Sequence, residues 1–382
     1  MAPMSSGKIE IRPTVQVADH DDLSRVYTPG VAEEVQRAAA DDSAVPRVTG
    51  AGNRVLVVTD GSAILGLGDV GPRAGLAVME GKSVLFKTLA GIDAWPLPLR
   101  SREVDDLVRT ITDVAVGVGA VNIEDVAAPR CFDLVARLQD ELDIPVFHDD
   151  QHGTAIVVLA ALRNALGVVG KDLAEVSVVV SGAGAAGSGV ARLLLDQGVR
   201  RIVVCDSTGA LHHGRELHGE KAWLAKHTNA DGLTGGLDAC LDGADVLIGV
   251  SAPGIVDEDM LGSMAPDAIV FGLANPDPEF EPEVALEHAA VVATGRSDLP
   301  NQINNVLAFP GVMRGLLDGP TRQVDSVVMA AAADALASLV DDPGPQSIIP
   351  DVFDPRLVDR VARAIADSGQ GLSEATRVRS VG

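Results

Sequence analysis

The chain has 382 residues, 47% of them hydrophobic, and a formal net charge of −24. That length exceeds one ordinary core and predicts two domains. The negative balance argues against nucleic acid and membranes as partners, and it means that an anionic substrate needs a local positive centre to overcome the global field.

Aromatic residues make up only 3% of the chain, so its cores must be built from Val, Leu, Ile and Ala. The three cysteines, Cys131, Cys205 and Cys240, fit neither a zinc site nor a disulfide framework and predict a reducing cytoplasm. The first residues hold no apolar signal core. Residues 1 to 20 are polar and predict a loosely structured start. Pro29 and Gly30 then punctuate the chain, and Val31 to Ala40 predicts a helix. Tyr27, just before that break, is the only tyrosine. In a protein that fills its cores without aromatics, a lone phenol is a candidate for chemistry, although a packed tyrosine with a satisfied hydroxyl is the plainer reading.

Arg54 to Thr59 predicts a strand ending in the turn signal Asp60-Gly61. Gly66-Leu67-Gly68-Asp69-Val70-Gly71 has the spacing of a dinucleotide loop, but it predicts only a tight glycine-rich loop. Ser83 to Ala90 is open between helix and strand. Lys82 precedes it, and its apolar neighbours make burial plausible. The apolar stretch Val114 to Ile123 leads to Glu124-Asp125, and Ile144 to Phe147 leads to Asp149-Asp150. Each acidic pair therefore falls at the end of an apolar run, where an open α/β sheet binds ligands. Parallel strands would bring the two pairs together. Crowded carboxylates repel, and a divalent cation resolves the repulsion. Oxygen ligands without Cys or His favour Mg²⁺ or Mn²⁺. His148 and His152 flank the acids as hydrogen-bonding groups rather than ligands. Thr154 to Gly170 is the longest apolar run; it contains Arg163 and Asn164 and predicts a buried helix, not a membrane span.

A second unit begins near residue 176. A β-branched strand, Val176 to Val180, leads into Gly182-Ala183-Gly184-Ala185-Ala186-Gly187 and a helix from Ser188 to Gln197. The strand Ile202 to Cys205 follows and ends at Asp206. This order of strand, G-x-G-x-x-G, helix, strand and acid is the context that makes the motif specific. Gly182 permits the tight turn, Gly184 the approach of pyrophosphate and Gly187 close helix packing. Asp206 is placed to meet a ribose hydroxyl, which favours NAD. Arg215, with His212 and His213, offers a 2′-phosphate site instead, so both cofactors stay open. Further strands are predicted at Ala244 to Val250, Ala268 to Leu273 and Ala290 to Ala293. Asn275, Asn304 and Asn305 fall where strand ends face a cleft. Helices are predicted at Val324 to Val340 and Arg356 to Asp367. The fold class is α/β: an N-terminal α/β catalytic domain, residues 1–155, followed by a Rossmann-type doubly wound parallel sheet with C-terminal helices, residues 156–382.

Taken together, Val26-Tyr27-Thr28-Pro29-Gly30-Val31, Thr59-Asp60-Gly61, Gly66-Leu67-Gly68-Asp69, Val78-Met79-Glu80-Gly81-Lys82, Asn122-Ile123-Glu124-Asp125, Phe147 to Thr154 and Asn304-Asn305-Val306 resemble the malic enzymes, most closely their short bacterial form. The resemblance implies oxidative decarboxylation of (S)-malate to pyruvate and CO₂ with NAD or NADP and a divalent metal. It implies Tyr27 as general acid, Lys82 as general base and Asp149 as their assisting carboxylate. It implies Glu124, Asp125 and Asp150 as metal ligands, Asn275 and Asn305 as substrate contacts, and Gly182 to Gly187 as the nucleotide loop. It also implies a homodimer or larger homo-oligomer. Two positions depart from the pattern. Ser62 and Ala63 stand where larger members have an arginine that grips malate, and Ala77 stands where a proline is expected. Three alternatives remain at this stage. One is a malolactic enzyme that releases lactate, one a metal-independent amino-acid dehydrogenase, and one a catalytically silent nucleotide sensor.

Overall fold

The structure is a computed structural model that describes residues 7–64 and 66–379. Two parallel sheets organise it. The first has four strands in the order β2-β1-β3-β4: β1 (Arg54–Thr59), β2 (Asp93–Pro98), β3 (Ala120–Ile123) and β4 (Val146–His148). All three pairings are parallel, so every strand points its carboxyl end the same way. Residues on β1 alternate between two cores, as a strand buried on both faces requires. Val55 and Val57 pack with Met79 and Phe86 of the Pro72–Ala90 helix. Leu56 and Val58 pack with Leu107 and Ile111 of the Val104–Ala115 helix and Leu134 of the Arg130–Glu141 helix.

Ser83 to Ala90 is helical and continues the Pro72–Ala90 helix, which stops at Gly91 in the left-handed region. Val114 to Ile123 is not one element. Val114 and Ala115 close a helix, and only Ala120–Ile123 is strand. Gly117 and Gly119 break the apolar run and allow the chain to reverse.

The second sheet has six strands in the order β10-β9-β8-β5-β6-β7: β5 (Ser177–Ser181), β6 (Arg201–Asp206), β7 (Gly209–Ala210), β8 (Val246–Gly249), β9 (Ala268–Gly272) and β10 (Ala289–Thr294). Only the short β6–β7 pair is antiparallel. The order reverses direction at β5, which lies between β6 and β8. That is the switch point at which doubly wound sheets bind nucleotides.

The Thr154–Val169 helix joins the two units, and eleven of its 16 residues are buried. With the π-helical turn before it, the Asp149–Val169 segment is long and apolar enough to cross a membrane, but 72% of its most apolar 18 residues is buried inside the protein. Burial on nearly all sides explains why it is apolar all round. The Phe309–Asp318 helix returns to the first unit, where Phe309 meets Phe86 edge-on at 4.8 Å. One continuous core therefore contains residues from both sheets.

Candidate active site

The carboxyl ends of both sheets open into one cleft of about 760 Å³. Its walls carry Lys82, Glu124, Asp125, Asp149, Asp150, Asn275, Asn304 and Asn305, with Ala186 and Val250 to Pro253 from the nucleotide side. Among the described residues lining it, Lys82 is the single lysine or arginine, facing four carboxylates.

Local structure sets these groups. After β3, Asp125 takes φ of 54°, a left-handed conformation that side chains other than glycine adopt at a cost. The turn is fixed from both sides: Ala63 N–H donates to the Asp125 carbonyl at 3.0 Å, and Asp125 N–H donates to Asp150 Oδ2 at 3.1 Å. After β4, residues Asp149–Gly153 form one π-helical turn, a wide turn that often marks functional sites. His148 N–H donates to His152 Nδ1 at 3.1 Å within it. A side chain at Gly153 would put its Cβ 2.4 Å from Asp149 Oδ1 and so press on that carboxylate. The turn also packs against the next unit, where a Cβ at Gly189 would meet the Gln151 carbonyl oxygen at 2.4 Å.

The result is a buried charge cluster. Lys82 Nζ lies 2.7 Å from Asp149 Oδ2 and 3.0 Å from Glu124 Oε1, above the Phe309 ring at 4.1 Å. Asn305 Nδ2 donates to Asp149 Oδ2 at 3.1 Å, and Asn122 Nδ2 donates to Glu124 Oε2 at 2.9 Å. One oxygen from each of Glu124, Asp125 and Asp150 lies within 4.8 Å of the others. Burial works against the charge on Lys82, but Asp149 and Glu124 outweigh it and hold the ammonium above its ordinary range. Burial, then the neighbouring acids, push Glu124 well above the usual carboxylate range. Asp150 is raised chiefly by burial, against the pull of His148. Burial lowers His148, against the pull of Asp150 and Asp149. Oxygen ligands across an octahedral Mg²⁺ stand about 4.2 Å apart, so the three acids are close enough to share one such cation.

The glycine-rich loop follows β5. Gly182 has φ of 121°, and a Cβ at Gly187 would fall 1.8 Å from the Gly182 carbonyl oxygen. The Ala185–Asp196 helix starts inside the loop and aims its free N–H groups outward. Asp206 ends β6 with only a small part of its side chain exposed.

Asn304 lines the cleft beside Asn305. Sequence reasoning missed two features here. Lys221 reaches Asp206 from the Gly219–His227 helix. Arg130 pairs with buried Asp60 at 2.6 Å and with Ser62 Oγ at 3.0 Å, which pins the loop where an arginine was looked for. The cluster unites Lys82, Glu124, Asp125, Asp149, Asp150 and Asn305 and places Asn275 on the same cleft. Tyr27 is apart from it: the residue is 67% exposed and does not line the cleft.

A doubly wound nucleotide-binding sheet joined to a smaller parallel sheet, with an acidic cluster in the cleft on which the carboxyl ends of both converge, defines a two-domain dinucleotide-dependent oxidoreductase. Residues 6–103 match the family model "Malic enzyme, N-terminal domain", and residues 151–368 match "Malic enzyme, NAD binding domain". The NAD-dependent malic enzyme of Geobacillus stearothermophilus is 49% identical over 95% of this chain and 76% of its own length. The bifunctional malic/malolactic enzyme of Bacillus subtilis is 49% identical over 95% of this chain and 90% of its own length. The crystal structure of malic enzyme from Pyrococcus horikoshii superimposes with a TM-score of 0.93 at 45% identity, covering 96% of this chain and 88% of that one. The chain belongs to the malic enzyme family.

Proposed function

We propose that this protein oxidises (S)-malate with a nicotinamide nucleotide and releases CO₂ from C4, leaving pyruvate. One observation carries the reading: Glu124, Asp125 and Asp150 converge beside the Lys82–Asp149 pair, in the cleft that also receives the glycine-rich loop. Glu124, Asp125 and Asp150 would hold Mg²⁺ or Mn²⁺. A dianionic substrate entering a cleft with one lysine and four acids needs such a charge. When bound, the ion supplies a Lewis acid for the malate C2 oxygen, and the nucleotide takes up the hydride.

The chain's own residues then handle protons. Lys82 accepts the C2 hydroxyl proton. With both carboxylates beside it the amine is held protonated. With Glu124 holding a cation, Lys82 would keep Asp149 as its one carboxylate partner, and its deprotonation would be easier. Asp149, held by Asn305, aims the amine. Asn275 and Asn305 hold the polar edge of the substrate. Tyr27 delivers a proton to C3 of the enolate, and Lys82 replenishes it.

Because Tyr27 does not line the cleft of its own chain, this role needs a second copy. The His20–Val26 and Val31–Ala40 helices bury no residue and expose Leu23, Val26, Tyr27 and Val35. We infer that a homodimer covers this apolar face and brings Tyr27 to the partner's cleft. The working compartment is the cytoplasm, in keeping with three free cysteines.

The test is an assay with malate and Mn²⁺ that follows nucleotide absorbance and identifies the product. Pyruvate with one reduced nucleotide per turnover, abolished by a chelator, is the expected result. Lactate without net nucleotide reduction would replace this reading with malolactic chemistry. Turnover that survives complete chelation would remove the metal from it.

A further inference from the structure

Glu279 is a carboxylate sealed behind the cleft, with 0% of the residue exposed. Its oxygens are held by backbone donors rather than by a cation. Oε1 accepts from Ser251 N–H at 2.7 Å, with Ser251 Oγ at 3.4 Å, and Oε2 accepts from Ala274 N–H at 3.0 Å. These donors lie just past the ends of β8 and β9. The ladder of the sheet runs out there: its last bonds are Val250 N–H to the Ser181 carbonyl and Leu273 N–H to the Gly249 carbonyl, both at 2.9 Å. A backbone N–H without a strand partner needs another acceptor, and one carboxylate serves both chain ends. Bonds to an ionised acceptor are roughly twice as strong as neutral ones. The space for the carboxylate comes from Gly249, where a Cβ would meet Glu279 Cδ at 2.5 Å. The backbone beside it is tied as well: Gly254 N–H donates to the Pro278 carbonyl at 3.0 Å and Val256 N–H to the Glu279 carbonyl at 2.9 Å.

Ser251, Ala274 and Asn275 line the cleft, and Glu279 stands behind them. Asn275 follows Ala274 directly. On its other side it meets the first unit, where a Cβ at Gly66 would fall 2.8 Å from the Asn275 carbonyl oxygen. The Asn275 backbone is therefore held between the Gly66 turn and the Glu279 anchor. We propose that Glu279 is a positioning residue for substrate binding: its buried carboxylate fixes the end of β9 against the end of β8, so that Asn275 meets malate already in place. Without the anchor the Ala274–Asn275 segment would have to be ordered when malate binds, at a cost to affinity. The inference rests on the reading of Asn275 as a substrate contact and adds what holds it there.

The test compares the whole protein with Glu279→Gln, Asn275→Ala and the double variant. The measurements are KM for malate at saturating Mn²⁺ and nucleotide, and Mn²⁺ affinity without malate. Glutamine offers one carbonyl oxygen where the carboxylate offers two, so one of the two N–H groups loses its acceptor. Glu279→Gln is expected to raise KM about tenfold. Mn²⁺ affinity should not change, because Glu124, Asp125 and Asp150 follow strands of the other sheet. Added to Asn275→Ala, Glu279→Gln should raise KM no further, since both act through one contact. Gly249→Ala displaces the carboxylate without removing it. It should raise KM in the same direction, and it carries the test if Glu279→Gln does not fold. A melting temperature lowered with KM unmoved would make Glu279 a structural residue only and overturn the proposal. Fully additive effects in the double variant, or an equal loss of Mn²⁺ affinity, would overturn it too. An unchanged KM in Asn275→Ala would instead overturn the reading of Asn275 on which it rests.

Discussion

At Lys82, burial and charge compete for one proton, and two carboxylates within 3.0 Å decide the outcome. Such a pair is costly to break, because removing one partner strands a buried charge. Lys82→Ala should therefore abolish turnover and also lower stability, by about 3–5 kcal/mol if Asp149 and Glu124 stay charged. Calorimetric unfolding of the variant checks the second effect, and addition of Mn²⁺ should recover part of it. Asp150→Ala removes one of three close oxygens. It should weaken Mn²⁺ binding on the order of 100-fold or more. Titration of the ion, read by fluorescence or magnetic resonance, measures that directly; unchanged affinity would remove Asp150 from the ligand set.

Two short elements set the geometry, and each depends on a glycine. In the π-helical turn Asp149–Gly153 the bare Cα of Gly153 leaves room for the Asp149 carboxylate. The nucleotide loop closes on Gly187, where a Cβ would meet the backbone carbonyl of Gly182. Gly187→Ala pushes a Cβ into the Gly182 carbonyl, which cannot move away without opening the loop. Overpacking of this kind costs roughly 1–3 kcal/mol. The expected outcome is a lower melting temperature with a larger proportional loss of nucleotide affinity than of Mn²⁺ affinity. Equal losses would mean that the loop strain spreads through the core shared by the two sheets.

On the scale of the whole molecule, the proposed second copy would cover the exposed N-terminal helices and receive Tyr27. Mixing provides a sharp test. Tyr27→Phe and Lys82→Ala are each expected to be inactive alone. If Tyr27 serves the partner's cleft, dimers refolded from an equal mixture contain one intact site in each mixed pair, and about a quarter of normal activity returns. If it served its own cleft, nothing would return. Metal binding also acts on the molecule as a unit. Mn²⁺ at 100 times its dissociation constant should stabilise the folded state by about 2.7 kcal/mol, a shift in melting temperature that Asp150→Ala should lose.

Short-range features were legible in the sequence because one segment contains all their causes. The β5 loop shows its glycines, its helix and its acid within 25 residues of chain, Gly182 to Asp206, and β1 shows its burial in the continuous apolar run Val55 to Val58. The ends of apolar runs also marked where the acids stand, since parallel strands align their carboxyl ends. Ser83 to Ala90 was ambiguous because periodicity over so short a window does not separate helix from strand; packing of Met79 and Phe86 on β1 settled it. Tertiary structure alone decided the pairing of Lys82 with Asp149 across 67 residues, the capture of Asp206 by Lys221, the pinning of Asp60 by Arg130 and the distance of Tyr27 from the cleft. Each of these depends on which surfaces meet when the sheets pack. A linear pattern records which groups a strand or helix presents, but not the neighbour that each will find.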